Sequence, residues 1–331
     1  MTKAFLLGAG ATKAQYPSTP INKDFFSYLR SQKEDLYMSI ENAIHSKKEL
    51  EKRDLEDVMS EVEQYPESNQ QLIKEALFNG LYILLGELTN STEKYMDDYR
   101  LNLLKPQPQT IFKNLIINQK LNEKDFFMTL NYDLCLDMEI YKELGMVDYG
   151  INEFVEEKRA SKNGFSMPSL NVGHLMPLLD EQQFSIYHLH GALNWEIVGD
   201  SVKVHIGAIK PNYSRQGVNL LLAPPGTKKL HPVLKTIWST AEKRLLSANE
   251  LIIIGCSLNP NDVELCHLMK KFQSERGVDK IKIIYLGDRG KKSVSENYTN
   301  LVGNGFKSYP YGFVIRGPRP DIKGAIEFIF N

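Results

Sequence analysis

Ala4-Phe5-Leu6-Leu7-Gly8-Ala9-Gly10-Ala11-Thr12 is the stretch on which the reading of the fold turns. Four apolar residues in a row predict a short buried strand, the glycines end it, and a helical pattern follows. An α/β nucleotide-binding fold begins in this way. Glycine lets a backbone come close to a pyrophosphate, and the helix behind it offers unpaired N–H groups and a positive dipole end. Lys13 stands where the third glycine of G-x-G-x-x-G belongs, and no acidic residue closes a second strand about twenty positions on. The stretch therefore predicts a phosphate cradle without implying hydride transfer. A tight strand-to-helix turn with no ligand is the alternative.

Working outward, the 331 residues can bury a sizeable core as one large domain or two. Lys and Arg total 40 and Asp and Glu 41, so net charge favours neither a nucleic-acid footprint nor an acidic tail. Cys135, Cys256 and Cys266 are too scattered for a disulfide framework and lack the paired spacing of a structural zinc site. They read as buried small side chains in a reducing cytoplasm. Apolar runs of four to six residues cannot span a bilayer. With no signal peptide ahead of the first strand, the expectation is a soluble cytoplasmic protein.

From Ser31 to about Arg100 the chain is rich in Glu, Lys and Leu, with apolar residues three and four apart, as in Asp54-Leu55-Glu56-Asp57-Val58-Met59. This predicts a helical insertion whose mixed charge is solvated and carries no chemistry. Lys105-Pro106-Gln107-Pro108 marks its boundary, and Thr110–Asn118 looks helical. Asp125–Leu130 reads as a second buried strand ending in Asn131-Tyr132-Asp133, ahead of a helix over Leu134–Leu144. Asn131 and Asp133 suit either a ligand at a strand end or a turn and helix cap. Residues 145–182 are rich in loop signals, with helical character over Asn152–Arg159 and punctuation over Gly164–Pro177.

Phe184–His190 predicts a strand closing on Gly191, and Asn194 to Ile206 a hairpin turning near Gly199-Asp200. His188 and His190 share a face, but no third ligand stands at metal spacing, so no metal site is expected. A further strand at Asn219–Ala223 leads into Pro224-Pro225-Gly226, and a helix at Pro232–Leu246 follows. The clearest late strands are Glu250–Ile254, ending in Gly255-Cys256-Ser257-Leu258, and Lys280–Leu286, ending in Gly287-Asp288-Arg289-Gly290. Asn259-Pro260-Asn261-Asp262 opens an amphipathic helix, and Asp321–Phe330 predicts a closing one. The fold class expected is α/β, a Rossmann-like mostly parallel sheet flanked by helices. Residues 1–29 and 108–331 form the core, with 30–107 a helical insertion. Parallel strands would bring Gly8-Ala9-Gly10, Asn131-Tyr132-Asp133, His190-Gly191 and Gly255-Cys256-Ser257 to one edge of the sheet, around a single ligand.

The ordered set Gly-Ala-Gly, Thr129-Leu-Asn-Tyr-Asp133, His188-Leu-His-Gly-Ala-Leu-Asn-Trp195 and Gly255-Cys-Ser-Leu258 resembles the sirtuin superfamily. More narrowly it is similar to the bacterial sirtuin-like branch of antiphage defence, whose members hydrolyse NAD. The resemblance implies that Gly8, Ala9 and Gly10 cradle the pyrophosphate with Thr12 nearby, and that Asn131 and Asp133 hold the nicotinamide-ribose side. It also implies that His190 is the catalytic histidine, that Gly255 and Ser257 touch phosphate or adenosine ribose, and that Asp288 contacts the adenosine ribose. Two departures stand out. The loop from Thr12 to Pro17 is shorter than the sirtuin pattern and lacks Asp-Phe-Arg. No cysteine lies between Gly191 and Cys256, so the four-cysteine zinc module that helps shape an acyl-lysine groove is missing.

The expectation is an NAD hydrolase that releases nicotinamide and ADP-ribose, an NAD-depleting effector in defence, with NAD as substrate and no metal. Such an enzyme needs restraint. The resemblance implies a homo-oligomer and a partner ATPase or sensor protein, with no nucleic acid and no membrane bound directly. The alternatives are an NAD-dependent protein deacylase and a non-catalytic NAD or ADP-ribose-binding subunit. In the hydrolysis reading Asp133 either stabilises the developing cation or braces its loop, the latter favoured, and His188 is structural.

Overall fold

The computed structural model describes residues 1–16, 19–44, 49–86, 112, 114, 121–144, 147–150, 184–205, 209, 220–223, 225, 230–311 and 322–330. Within them a seven-stranded sheet runs in the order β10-β9-β8-β1-β2-β4-β3, every neighbouring pair parallel. The strands are β1 (Lys3–Leu7), β2 (Phe126–Thr129), β3 (Val147–Asp148), β4 (Phe184–His188), β8 (Glu250–Ile254), β9 (Ile281–Leu286) and β10 (Lys307–Tyr311). A smaller antiparallel sheet, order β6-β5-β7, holds β5 (Gly191–Val198), β6 (Ser201–Val204) and β7 (Leu220–Leu222). This is an α/β fold of Rossmann type.

The apolar runs explain the order. Phe5, Leu6, Ile252, Ile253, Phe126 and Phe127 are fully buried, as central strands of a parallel sheet covered on both faces require. Phe5 and Phe127 stack across neighbouring strands with ring centroids 5.1 Å apart. From β1 the chain continues on one side to β2, and β8 lies on the other. The junction of β1 and β8 is thus where the strand order reverses, the place where open α/β sheets bind ligands.

Helices α1 (Ala9–Gln15), α2 (Phe25–Gln32), α3 (Glu34–Ala43), α4 (Leu55–Val62) and α5 (Glu67–Leu81) lie between β1 and β2. α4 buries Leu55, Val58, Met59 and Val62 at helical spacing, and Asp54 caps it by accepting from the Glu56 N–H at 3.2 Å. Further on come α6 (Cys135–Leu144), α7 (Pro232–Ser247), α8 (Val263–Arg276), α9 (Gly287–Val302) and α10 (Ile322–Phe330). The expected boundary at 105–108 and the helical and loop readings over 152–177 lie outside the described residues.

Two expectations differ in detail. Gly287-Asp288-Arg289-Gly290, which the sequence shows as the end of the Lys280–Leu286 strand, is the first turn of α9, so Asp288 stands at a helix start directly after β9. β10 has no counterpart in the sequence reading. It is an edge strand, where Pro310 needs no ladder partner on its outer side.

Candidate active site

The close approach of β1 and β8 shapes the floor of the site. The Gly8 N–H donates to the Ile254 carbonyl at 3.0 Å and the Gly10 N–H to the Gly255 carbonyl at 2.9 Å. Gly255 has φ +62°, and a Cβ there would stand 2.2 Å from the Ala11 nitrogen and 2.4 Å from the Gly10 carbonyl carbon. The two glycine turns are packed backbone to backbone, which only glycine permits. Gly10's N–H is committed to Gly255, and the Ala11 N–H donates to the Gly8 carbonyl at 2.8 Å. Cys256 beside them is buried, and burial pushes its thiol up to about 11, so it is no thiolate nucleophile at neutral pH. Ser257 is exposed, and its carbonyl accepts from the Asn297 side chain at 3.0 Å.

Asn131 follows β2 and turns toward these glycines. Its amide nitrogen donates to the Gly8 carbonyl at 3.1 Å and to Thr12 Oγ1 at 2.9 Å. Both acceptors fix the amide orientation, so the group left on this half-buried side chain is the acceptor oxygen Oδ1. Thr12 Oγ1 in turn donates to Asp133 Oδ2 at 2.8 Å, and Asp133 Oδ1 accepts from the Cys135 N–H at 3.0 Å. Asp133 therefore ties α1 to the start of α6, and burial pushes its carboxyl upward. Gly8, Thr12, Asn131 and Asp133 form one hydrogen-bonded chain.

His190 sits in the turn between β4 and β5. That turn is bound to the Asn131 segment at two points: the Leu189 N–H donates to the Thr129 carbonyl at 3.0 Å, and the Leu193 N–H to the Tyr132 carbonyl at 2.9 Å. Gly191 turns the chain with φ +84°, and a Cβ there would lie 1.8 Å from the Leu221 carbonyl oxygen of β7. The glycine of Leu-His-Gly is thus fixed by the crossing of two strands. Trp238 of α7 donates to the Leu189 carbonyl at 2.8 Å, its ring centroid 6.3 Å from that of His190. Tyr132 lies on another side, at 6.4 Å.

The imidazole is 3 % exposed, with Nε2 3.1 Å from Asp262 Oδ2. An ionised carboxylate only accepts, so Nε2 carries a proton, and Nδ1 is left buried with no hydrogen-bond partner among the described residues. Burial works against a charge on His190. The bond to Asp262 and the charges of Asp262, Glu56 and Glu264 outweigh it and hold the imidazole above its usual range. Asp262 is itself 2 % exposed and caps α8 by accepting from the Leu265 N–H at 3.1 Å.

In the sequence Asp262 reads as the opening of a helix and as the acid that follows Gly255-Cys-Ser-Leu258, with no role at His190. Its helix-opening position was visible, but nothing local showed that its second oxygen faces a histidine more than seventy positions away. The other correction concerns Glu56, read as part of a solvated helical face. It is 9 % exposed, and its Oε2 accepts from Asn259 Nδ2 at 3.1 Å.

His188 is fully buried behind Asn131. Nε2 lies 2.9 Å from Asp137 Oδ1 and Nδ1 3.3 Å from the Asn131 carbonyl, with Tyr149 and Trp195 packed on the ring. Burial opposes its charge and Asp137 outweighs burial, so its titration also lies above the usual range. It supports the loop that carries Asn131. Among the described residues no group of three His, Cys, Asp or Glu is placed to hold a metal ion, and no helix is long and apolar enough to cross a membrane.

No protein-family model and no curated protein matches the chain. Solved structures do. A Sir2 homologue mutant in complex with ADP-ribose overlays with a TM-score of 0.43 at 13% identity, covering 87% of this chain and 80% of that one. A second such mutant complex gives 0.42 at 12% identity, covering 91% of each chain. A Sir2 enzyme structure gives 0.38 at 10% identity, covering 91% and 92%. Identities and overlaps this low carry no residue role across to this chain.

Proposed function

We propose that this protein is an NAD hydrolase that cleaves the nicotinamide–ribose bond to give nicotinamide and ADP-ribose. The observation that carries the reading is the pairing of two oriented groups at neighbouring strand ends. One is Asn131, tied down so that Oδ1 is its remaining acceptor. The other is His190, held by Asp262 so that the buried Nδ1 lone pair is its remaining acceptor. Breaking the bond leaves its electron pair on the nicotinamide ring nitrogen, which turns a cation into a neutral leaving group. The ribose passes through an oxocarbenium-like state. Water then adds to C1′, and the proton it loses goes to His190 Nδ1. Asn131 Oδ1 orients the attacking water or a ribose hydroxyl beside it.

Asp133 braces this arrangement through Thr12 and Cys135 rather than touching the substrate. Gly8, Ala9 and Gly10 offer the pyrophosphate a close backbone surface beside Gly255 and Ser257, and Asp288 is proposed for the adenosine ribose. Because the Gly10 N–H is already donated, the Ala9 N–H is the donor assigned to phosphate there. The missing four-cysteine module favours hydrolysis over deacylation. A role in antiphage defence, in the cytoplasm, as a homo-oligomer under a partner ATPase or sensor, belongs to the same proposal and rests on the motif resemblance. So does the division into a core and a 30–107 insertion.

Incubation of the purified protein with NAD alone tests the reading. Stoichiometric nicotinamide and ADP-ribose without any acyl-lysine peptide is the expected result, with Asn131→Ala slower by about tenfold or more, as loss of a group that orients the reactants predicts. Consumption of NAD only when an acyl-lysine peptide is added would replace it with the deacylase reading. NAD binding with no turnover in either case would favour a binding subunit.

A further inference from the structure

Glu56 comes from outside the sheet, yet it lies at the centre of the buried polar cluster. Its helix α4 is the second element after α3 in the inserted region, and its carboxylate accepts from Asn259 at 3.1 Å. Asn259 in turn shapes the turn that presents Asp262. Its carbonyl accepts from the Asp262 N–H at 3.0 Å, and its side-chain oxygen accepts from the Asn261 N–H at 3.0 Å. Leu258, just ahead, is buried with φ +56°, a conformation that a branched side chain holds only when its surroundings impose it. Ser60, one turn further along α4, donates to the Pro225 carbonyl at 2.8 Å. The helix therefore grips the turn through Glu56, and the turn holds the histidine through Asp262.

We propose that Glu56 is a positioning residue for His190: through Asn259 it holds the 259–262 turn so that Asp262 meets Nε2, and it adds a second carboxylate beside the imidazole. The inserted helices are then part of the catalytic apparatus rather than a passive addition. Among the described residues, the charged and titratable groups that act on His190 are Asp262 at the cap of α8, Glu264 in its first turn and Glu56 from α4, with the Tyr132 ring packed alongside from the loop after β2. Tyr132 Oη is buried and without a partner among the described residues, as is His190 Nδ1, so two polar atoms lie in this cluster beside the two acids. Two buried acids around one imidazole do more than one. They hold the imidazolium to higher pH, and once it loses a proton Asp262 keeps the remaining one on Nε2, so that Nδ1 opens as the acceptor above a raised midpoint. The proposal rests on the hydrolase reading for its role in catalysis, but its structural part does not.

The test is an NMR titration of histidine-labelled full-length protein, with the His190 signal assigned by His190→Gln. In Glu56→Gln the His190 midpoint is expected at lower pH than in wild type, and in Asp262→Asn lower still, while His188 stays in place. Asn259→Ala, which cuts the link and leaves the charge, is expected to move His190 in the same direction. If Glu56→Gln does not fold, Asn259→Ala decides. An unmoved His190 midpoint in whichever of these two variants folds overturns the proposal, even if melting temperatures fall. In the nicotinamide assay, the acid limb of kcat/KM for Glu56→Gln is expected to move with the NMR midpoint. Absence of nicotinamide release in wild type would remove the hydrolase reading while the titration still judges Glu56.

Discussion

His190→Gln is expected to lower nicotinamide release by about 10²- to 10⁴-fold, the usual range for loss of a general base. Glutamine is the informative replacement. Its amide nitrogen can still donate to Asp262, so no buried carboxylate is left without a partner, whereas alanine would strand one at a cost of about 3–5 kcal/mol in stability. The amide carries no group that accepts a proton near neutral pH. The loss corresponds to about 3–5 kcal/mol of transition-state stabilisation, and it falls on kcat rather than on substrate binding. KM for NAD is expected to stay within about threefold, because the pyrophosphate anchor lies at the glycine turns and not at the imidazole. Activity within a fewfold of wild type would mean that the proton leaves by another route, directly to solvent or through a different residue. Steady-state kinetics on the purified variant decide it.

Gly255→Ala is expected to be strongly destabilising. Its Cβ would meet the Ala11 nitrogen at 2.2 Å and the Gly10 carbonyl carbon at 2.4 Å, and both are backbone atoms at the start of α1 that cannot rotate away. The left-handed φ of +62° adds conformational strain to the overlap. Together these are on the order of 4 kcal/mol. For a chain of this size that lowers the melting temperature by roughly 10 °C. Gly199→Ala supplies the comparison. Gly199 also has a positive φ, of +64°, but a Cβ there meets nothing within 4 Å, so only the conformational part remains, about 1–2 kcal/mol. Equal melting temperatures for Gly255→Ala and wild type would mean that the β1 and β8 turns are not in contact. The glycine floor of the site would then be wrong.

The parts of the molecule that were legible in the sequence are those where local pattern and tertiary role coincide. Ala4–Leu7 and Leu251–Ile254 are apolar at every position because both faces of these strands are covered, and no other element accounts for so short an unbroken run. The glycines after them, and Gly191 after His190, are legible because close backbone approach leaves no room for a side chain. Parallel pairing then brings the four strand ends to one edge without further information.

What stayed hidden depends on packing between distant segments. Glu56 sits in a mixed-charge helical pattern indistinguishable from a solvated one. Its burial follows from how α4 docks on the 259–262 turn, some two hundred positions on. Asp262 shows itself as a helix cap, and its second oxygen is free to serve His190 only because the β4–β5 turn reaches across β1 and β2. β3 is two residues long, and β10 carries a proline, so neither gives a periodic signal. The Gly287–Gly290 stretch is rich in turn formers, yet it is helical because a strand hands directly into α9, an instance of tertiary context overriding propensity.

The most direct measurement is a crystal structure of the protein with ADP-ribose and nicotinamide. The ribose C1′ is expected between Asn131 Oδ1 and His190 Nδ1, with the pyrophosphate against Gly8-Ala9-Gly10 and Gly255. A ligand bound elsewhere, or a ribose that reaches neither side chain while the protein still hydrolyses NAD, would contradict it.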